Sequence, residues 1–225
     1  LSQSIEERAW PGGVLFAAKN GKVFAHESFG FHTYAKTIPV RSSDIFDIAS
    51  LTKVISTTAS LMKIVDDGVL RLDEKIIDHI SEIKTHDSPS ADLKSAITVQ
   101  HLLEHSSGLP DFKPAYDVKG GNDARWKSIF QTSSLAPPGE KLIYSDIGFM
   151  ILGKLIERIS NQALNEYVES TIFSPLGMST TFFNPSIKKL HRIIPTEINY
   201  ENNLIHGMVH DENARSLGGI AGHAG

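Results

Sequence analysis

The chain contains 225 residues, of which 22 are Lys or Arg and 26 are Asp or Glu, and its formal net charge is −4. This balance argues against a nucleic-acid partner, which would favour a basic surface. No apolar run in the sequence reaches the roughly 18–20 residues that a membrane span needs. Cysteine is absent, which excludes disulfides, thiolate metal sites and cysteine nucleophiles.

The first half of the chain predicts a hairpin followed by a buried helix. Residues 14–19 and 22–29 have the composition of strands, and the Asn20-Gly21 pair between them favours a tight hairpin turn. Apolar residues cover most of the circumference of a helix predicted from Leu51 to Val65, so we expect this helix to be buried on nearly all sides.

The second half is predicted to be mainly helical. We expect a short helix from Thr98 to Glu104, an exposed loop over 110–124, and helices over 147–159 and 162–173. Residues 180–183 and 198–200 are candidate strands. Strands at both ends around a helical middle predict an α+β, layered fold, with 1–48 and about 180–225 forming the sheet part and about 68–175 the helical part.

A candidate nucleophile lies at the start of the long predicted helix. Ser50 and Lys53 are separated by three residues, which places their side chains on one helix face, with bases about 5–6 Å apart. A lysine held there could take the serine proton. The alternative is an N-capping serine and a surface lysine, because this spacing often occurs by chance.

Two further polar clusters have the composition of site segments. Tyr144-Ser145-Asp146 lies between a Pro-Gly turn and an apolar helix, and the tyrosine could transfer a proton or could be an ordinary half-buried ring. His223-Ala224-Gly225 combines one titratable group with small residues that let a backbone approach a ligand closely.

In this order, the three clusters resemble the active-site motifs of serine beta-lactamases and penicillin-binding proteins, in particular the class C beta-lactamase, D,D-peptidase and esterase branch. The segment His101–Pro110 is similar to the family's LLxHxSGLP segment, and Pro138-Gly139-Glu140 and Pro175–Met178 also match. The resemblance extends from about residue 11 to residue 225.

The resemblance implies a fold with an antiparallel sheet flanked by helices and a helical subdomain, formed here as one catalytic domain over 1–225. It implies that Ser50 is the acylated nucleophile and that Lys53 and Tyr144 form the proton-transfer pair. Asp146, His223 and Gly225 would then bind the substrate. No metal or organic cofactor is expected. The substrate would be a small molecule or peptide, such as a peptidoglycan-type peptide, a beta-lactam or an ester.

The resemblance also implies that the site needs chain beyond Gly225. The backbone N–H of Ser50 would be one oxyanion donor, and the family takes the second from the residue after the third motif. Losing one such donor costs about 10²–10³ in rate. We therefore expect the chain to be part of a longer protein and weakly active alone. The family works mostly outside the bacterial cytoplasm, which makes an extracytoplasmic location the expectation.

Two residues depart from the family pattern. Asp146 replaces the usual asparagine, and an ionised carboxylate accepts hydrogen bonds but donates none. Next to Lys53, it would favour the charged ammonium and repel a substrate carboxylate. His223 replaces the usual lysine, so a lasting positive charge is lost. Both changes favour peptidase or esterase activity over efficient beta-lactamase activity.

Two alternatives remain open from the sequence. His101, Glu104 and His105 fit the H-x-x-E-H pattern of some zinc metallopeptidases, and His206 and His210 also have metal-like spacing. The second alternative is a catalytically impaired protein that binds penicillin or cell-wall fragments, because the two departures weaken the site.

Overall fold

The computed structural model describes residues 2–83 and 91–225. The described chain divides into two compact units. The first comprises the chain up to Asp47 together with Pro185–Gly207, and the second comprises Ile48–Asn184 and Met208–Gly225. The expectation of one catalytic domain remains a prediction. In the described residues, no helix has the length and apolar character needed to cross a membrane.

The first unit contains a short helix and two small antiparallel strand pairs. Helix α1 spans Ser2–Glu6, strand β1 spans Gly12–Lys19 and strand β2 spans Lys22–Gly30. Asn20 and Gly21 both adopt positive φ, 50° and 74°, as the predicted hairpin turn requires. Strands β3 (Glu197–Ile198) and β4 (Leu204–Ile205) form the second pair, so the strand predicted over 198–200 begins and ends earlier.

The second unit is helical, and its core lies around one long buried helix, α7. Its described helices are α2 (Ala59–Asp66), α3 (Ile76–His79), α4 (Ala91–Ser95), α5 (Val99–Leu103), α6 (Gly121–Phe130), α7 (Asp146–Ser160), α8 (Leu164–Val168) and α9 (Glu212–Ser216). Nine of the fifteen residues of α7 are buried, which agrees with the continuous apolar pattern of this segment. Helices and small antiparallel sheets together agree with the predicted α+β class.

The helix predicted over 51–65 differs from expectation in shape and in burial. It begins as a 3-10 turn over Ala49–Leu51, continues as a π-helical turn over Lys53–Thr58 and becomes α-helical only in α2. The prediction of burial on nearly all sides is wrong, because Leu51 and Val54 are both 61% exposed. The buried face is largely polar, and three of its side chains, Thr52, Lys53 and Thr57, donate to backbone carbonyls within residues 222–225.

Three other segments differ from their predictions. The predicted loop over 110–124 overlaps the start of α6 at Gly121, where Gly120 at φ 111° precedes the first turn. Residues 180–183 have turn and irregular conformations rather than a strand. The helix predicted over 162–173 is divided into α8 and a π-helical turn over Glu169–Phe173.

Candidate active site

Ser50 lies in the 3-10 turn at the start of the helix and is exposed. Ala49, directly before it, adopts a φ of 46°. For a residue with a Cβ, this left-handed conformation costs roughly 1–2 kcal/mol, and such strain concentrates at functional sites. The strained residue and the tight turn fix the direction in which the Ser50 side chain leaves the backbone.

Lys53 is buried directly below Ser50, with 2% of its surface exposed. Its Nζ donates to Ser50 Oγ at 3.0 Å and to the carbonyl oxygen of His223 at 3.0 Å. The same Nζ lies 2.6 Å from Asp146 Oδ1. The structure therefore brings one residue of each predicted motif to a single ammonium group.

Tyr144 approaches the same ammonium through the face of its ring. Lys53 Nζ lies 4.8 Å from the centroid of the Tyr144 ring, within the range of a cation–π interaction. The ring is half exposed and packs on the His105 ring, with 4.4 Å between centroids. One face of the Tyr144 ring thus lies on the ammonium of Lys53, and the role of this tyrosine in proton transfer remains a prediction.

A loop after α5 holds the second motif in place. Ile143 and Asp146 donate their backbone N–H groups to the carbonyl oxygens of His105 and Asp111, at 2.8 and 2.9 Å. Ser145 donates its hydroxyl to the carbonyl of Pro110 at 2.6 Å. These bonds give a physical reason why the His101–Pro110 segment occurs together with the second motif. The sequence pattern alone did not reveal this reason.

His105 is the side chain through which this loop contacts the site. Its Nδ1 accepts from the backbone N–H of Ser145 at 3.0 Å, and its φ is 57°. Burial lowers the pKa of His105, the nearby charge of Lys53 lowers it further, and Asp146 acts in the opposite direction. A neutral imidazole suits this role, because its bare nitrogen can accept a hydrogen bond.

Asp146 is the first residue of α7 and lies at the positive end of that helix, where a carboxylate is favoured. Ser145 caps the helix by accepting from the backbone N–H of Gly148 at 3.1 Å. The cap and the loop contacts together set the position from which the Asp146 carboxylate reaches Lys53.

His223 is 1% exposed and donates through Nε2 to Asp211 Oδ1 at 2.8 Å. Asp211 also caps α9 by accepting from the backbone N–H of Ala214 at 2.7 Å. Burial would raise the pKa of Asp211, but the hydrogen bond and charge of His223 outweigh it, so the pKa is lowered. The sequence did not reveal this pairing, because nothing in a spacing of twelve residues predicts it.

Two threonines fasten the chain segment Gly222–Gly225 to the helix that carries Ser50. Thr52 donates to the carbonyl of Gly225 at 3.0 Å and Thr57 to that of Gly222 at 2.6 Å. Gly225, predicted to bind substrate, thus lies against the first turn of this helix.

The residues predicted as an alternative zinc site do not form one. His105 lies beyond the end of α5, and the Nδ1 of His101 bonds the N-cap residue Thr98 instead. His206 contacts two backbone carbonyls. In the described part of the chain, the group able to offer three metal ligands is Asp146, Asp211 and His223, with ligand atoms within 4.8 Å of one another.

Comparisons with known proteins indicate the family of the chain. The family model described as Beta-lactamase matches residues 1–214. Over its whole length, the chain is 34% identical to an Escherichia coli (strain K12) protein named as a candidate D-alanyl-D-alanine carboxypeptidase. It is 29% identical to an N-acetylmuramyl-L-alanine amidase of Bacillus subtilis (strain 168). It spans 58% of the length of each of these relatives.

Solved structures show the same fold. A beta-lactamase/D-alanine carboxypeptidase from Yersinia pestis matches with a TM-score of 0.74 and 23% identity, over 100% of this chain and 63% of that one. A penicillin-binding protein homologue from Pyrococcus abyssi matches with a TM-score of 0.72 and 24% identity, over 91% of this chain and 48% of that one.

Proposed function

Because the chain belongs to the beta-lactamase family, we propose that it is the catalytic part of a serine hydrolase that cleaves an amide or ester through acyl-Ser50. The observation that carries the proposal is the 3.0 Å hydrogen bond from buried Lys53 to exposed Ser50. A surface lysine and an N-capping serine, the alternative for this pattern, would not place the amine at 2% exposure.

The proposed reaction has two steps. Tyr144 accepts the proton of Ser50 while Lys53 remains an ammonium, Ser50 Oγ bonds the substrate carbonyl carbon, and Tyr144 passes the proton to the leaving group as the bond to that group breaks. Water then attacks the acyl-serine, Tyr144 accepts the proton of the water and returns it to Ser50 Oγ as the acyl bond breaks, and the acid product leaves. The fixed positive charge of Lys53 would stabilise the developing negative charge, and the backbone N–H of Ser50 would be one oxyanion donor.

The names of relatives point to cell-wall chemistry. A carboxypeptidase for D-alanyl-D-alanine and an amidase for N-acetylmuramyl-L-alanine both act on amide bonds. A structural neighbour is described as a hydrolase with promiscuous acyltransferase activity. We propose a peptidoglycan-type amide or a small ester as substrate, and a location outside the cytoplasm.

Labelling with a fluorophosphonate tests the proposal. Attack by Ser50 forms a P–O bond and expels fluoride, so intact mass should rise by one phosphonyl group and peptide mapping should locate it at Ser50. Ser50→Ala should abolish labelling. Ser60→Ala is the matched control, because Ser60 is fully buried on the same helix run, and it should label like the wild type.

The same assay separates the alternatives. A chelator should leave the labelling unchanged, whereas loss of labelling would favour a metal-dependent site. A folded chain that binds penicillin without forming an adduct at Ser50 would overturn the proposal in favour of a binding protein.

A further inference from the structure

Four side chains at the site pair their charges with one another. Asp146 contacts Lys53, and Asp211 contacts His223. The inference below rests on the proposed function, because it concerns which leaving group this site accepts. A substrate carboxylate could bind a cation here only if Lys53 or His223 were available to it.

The ammonium of Lys53 is already surrounded by oxygen atoms of the protein. An ammonium group carries three N–H donors and no acceptor. Nζ of Lys53 donates to Ser50 Oγ and to the carbonyl of His223, each at 3.0 Å, and Asp146 Oδ1 lies 2.6 Å away as its ion-pair partner. A carboxylate could bind this ammonium only by displacing one of the three.

His223 is equally unavailable. Its Nε2 donates to Asp211 Oδ1 at 2.8 Å. Its Nδ1 is buried and has no hydrogen-bond partner among the described residues. The imidazole therefore presents no exposed donor to a substrate.

Exposure decides which atoms a substrate meets. The side chains of Lys53 and His223 are 3% and 1% exposed, whereas those of Asp146 and Asp211 are 24% and 23% exposed. The four groups together carry a charge of zero if the imidazole is protonated and −1 if it is neutral. An approaching carboxylate would meet acceptors of its own sign, which costs binding free energy in a crevice of reduced dielectric.

We infer that Asp146 and Asp211 make this site select leaving groups that have no free carboxylate and that carry hydrogen-bond donors. The substrate class is then an amide within a longer chain, an amidated terminus or a neutral ester. A peptide ending in a free D-alanine carboxylate is disfavoured, although relatives carry carboxypeptidase names.

Two substrate pairs test this inference. The first is an N-acylated D-Ala-D-Ala dipeptide as free acid and as C-terminal amide. The second is an acetyl ester of 4-hydroxybenzoate and of 4-hydroxybenzamide. We expect kcat/KM to favour the neutral member by about tenfold or more in each pair that is turned over.

Asp146→Asn should reduce this preference severalfold by admitting the carboxylate, and Asp211→Asn serves as the second variant. Asp67→Asn, which removes a carboxylate at the far end of α2, should leave the preference unchanged. The preference is a ratio measured on one preparation, so partial misfolding of a variant cancels.

The outcomes separate this inference from the proposed function. Adduct formation at Ser50 together with equal rates for acid and neutral substrates, or a preference that neither variant reduces, overturns the inference and leaves the hydrolase intact. Absence of any Ser50 adduct overturns the proposed function and the inference together.

Discussion

Gly108 shows how a single backbone position supports the site. It is buried with φ 76°, and its carbonyl accepts from the backbone N–H of Leu135 at 2.7 Å. A Cβ at this position would come within 2.0 Å of the carbonyl oxygen of Ala136. Only glycine allows the loop after α5 to lie this close to the chain that leads to Tyr144.

We expect Gly108→Ala to lower the free energy of unfolding by about 3 kcal/mol, since backbone strain and a steric clash add. Gly68→Ala is the matched control: Gly68 has φ 70° but open space around its Cβ position, so only about 1 kcal/mol of strain is expected. Urea unfolding measures both variants. Equal losses would show that the close contact with Ala136 contributes nothing.

At the scale of residues, sequence patterns predicted most of the side chains that meet at the site. Ser50 and Lys53 could be paired in advance because a three-residue spacing fixes side chains on one helix face. Tyr144, Asp146 and His223 came from the family resemblance, since no local rule connects residues that are far apart in sequence. The pairing of Asp211 with His223 could not be predicted, because this bond depends on tertiary structure.

At the scale of elements, the carboxyl end of α6 is stabilised by two lysines from outside the helix. Lys94 on α4 donates to the carbonyl of Phe130 at 2.7 Å, and Lys113 donates to that of Ser128 at 2.7 Å. Cations are favoured at this negative end of a helix. Burial, and then the charge of Lys113, lowers the pKa of Lys94 to about 8.

This lowered pKa predicts how stability depends on pH. Between about pH 8 and 10.5, the unfolded chain holds a proton on Lys94 that the folded chain has lost, so stability rises with pH across this window. Relative to Lys94→Met, the wild type should gain about 1–2 kcal/mol in free energy of unfolding from pH 7.5 to pH 10. Parallel urea titrations at each pH measure the difference.

Lys63→Met is the control of opposite sign. Its hydrogen bond to Asp67 raises the pKa of Lys63, so any stabilisation from Lys63 is lost at high pH and none is gained in this window. A flat difference between wild type and Lys94→Met would contradict a lowered pKa for Lys94.

Sequence rules predicted elements well where one local signal dominates. The hairpin follows from Asn20-Gly21, and α7 follows from a continuous apolar pattern. The burial of the helix that follows Ser50 was predicted incorrectly, because a count of apolar residues does not show that Thr57 and Lys53 face inward. Their burial depends on carbonyl acceptors near residue 223, which no local pattern contains.

At the scale of the molecule, hydrogen bonds between residues far apart in sequence hold the second unit together. Thr52, Lys53 and Thr57 donate to backbone carbonyls that lie 173, 170 and 165 residues further along the chain. Gly222 adopts φ 85°, and a Cβ there would come within 3.0 Å of Gly153 on α7. The segment over 222–225 is thus held between two helices, and the position of His223 depends on both.

Thr57→Val tests this closure, because valine has nearly the shape of threonine and replaces the hydroxyl with a methyl group that cannot donate. The carbonyl of Gly222 would remain buried without its 2.6 Å partner, so we expect a loss of about 1–3 kcal/mol in free energy of unfolding. Fluorophosphonate labelling of Ser50 should also slow, since the same segment supplies the His223 carbonyl to Lys53. Thr58→Val, at the next and only half-buried position, should change neither measurement. If both valine variants unfold and label alike, the long-range bond does not hold the third motif in place.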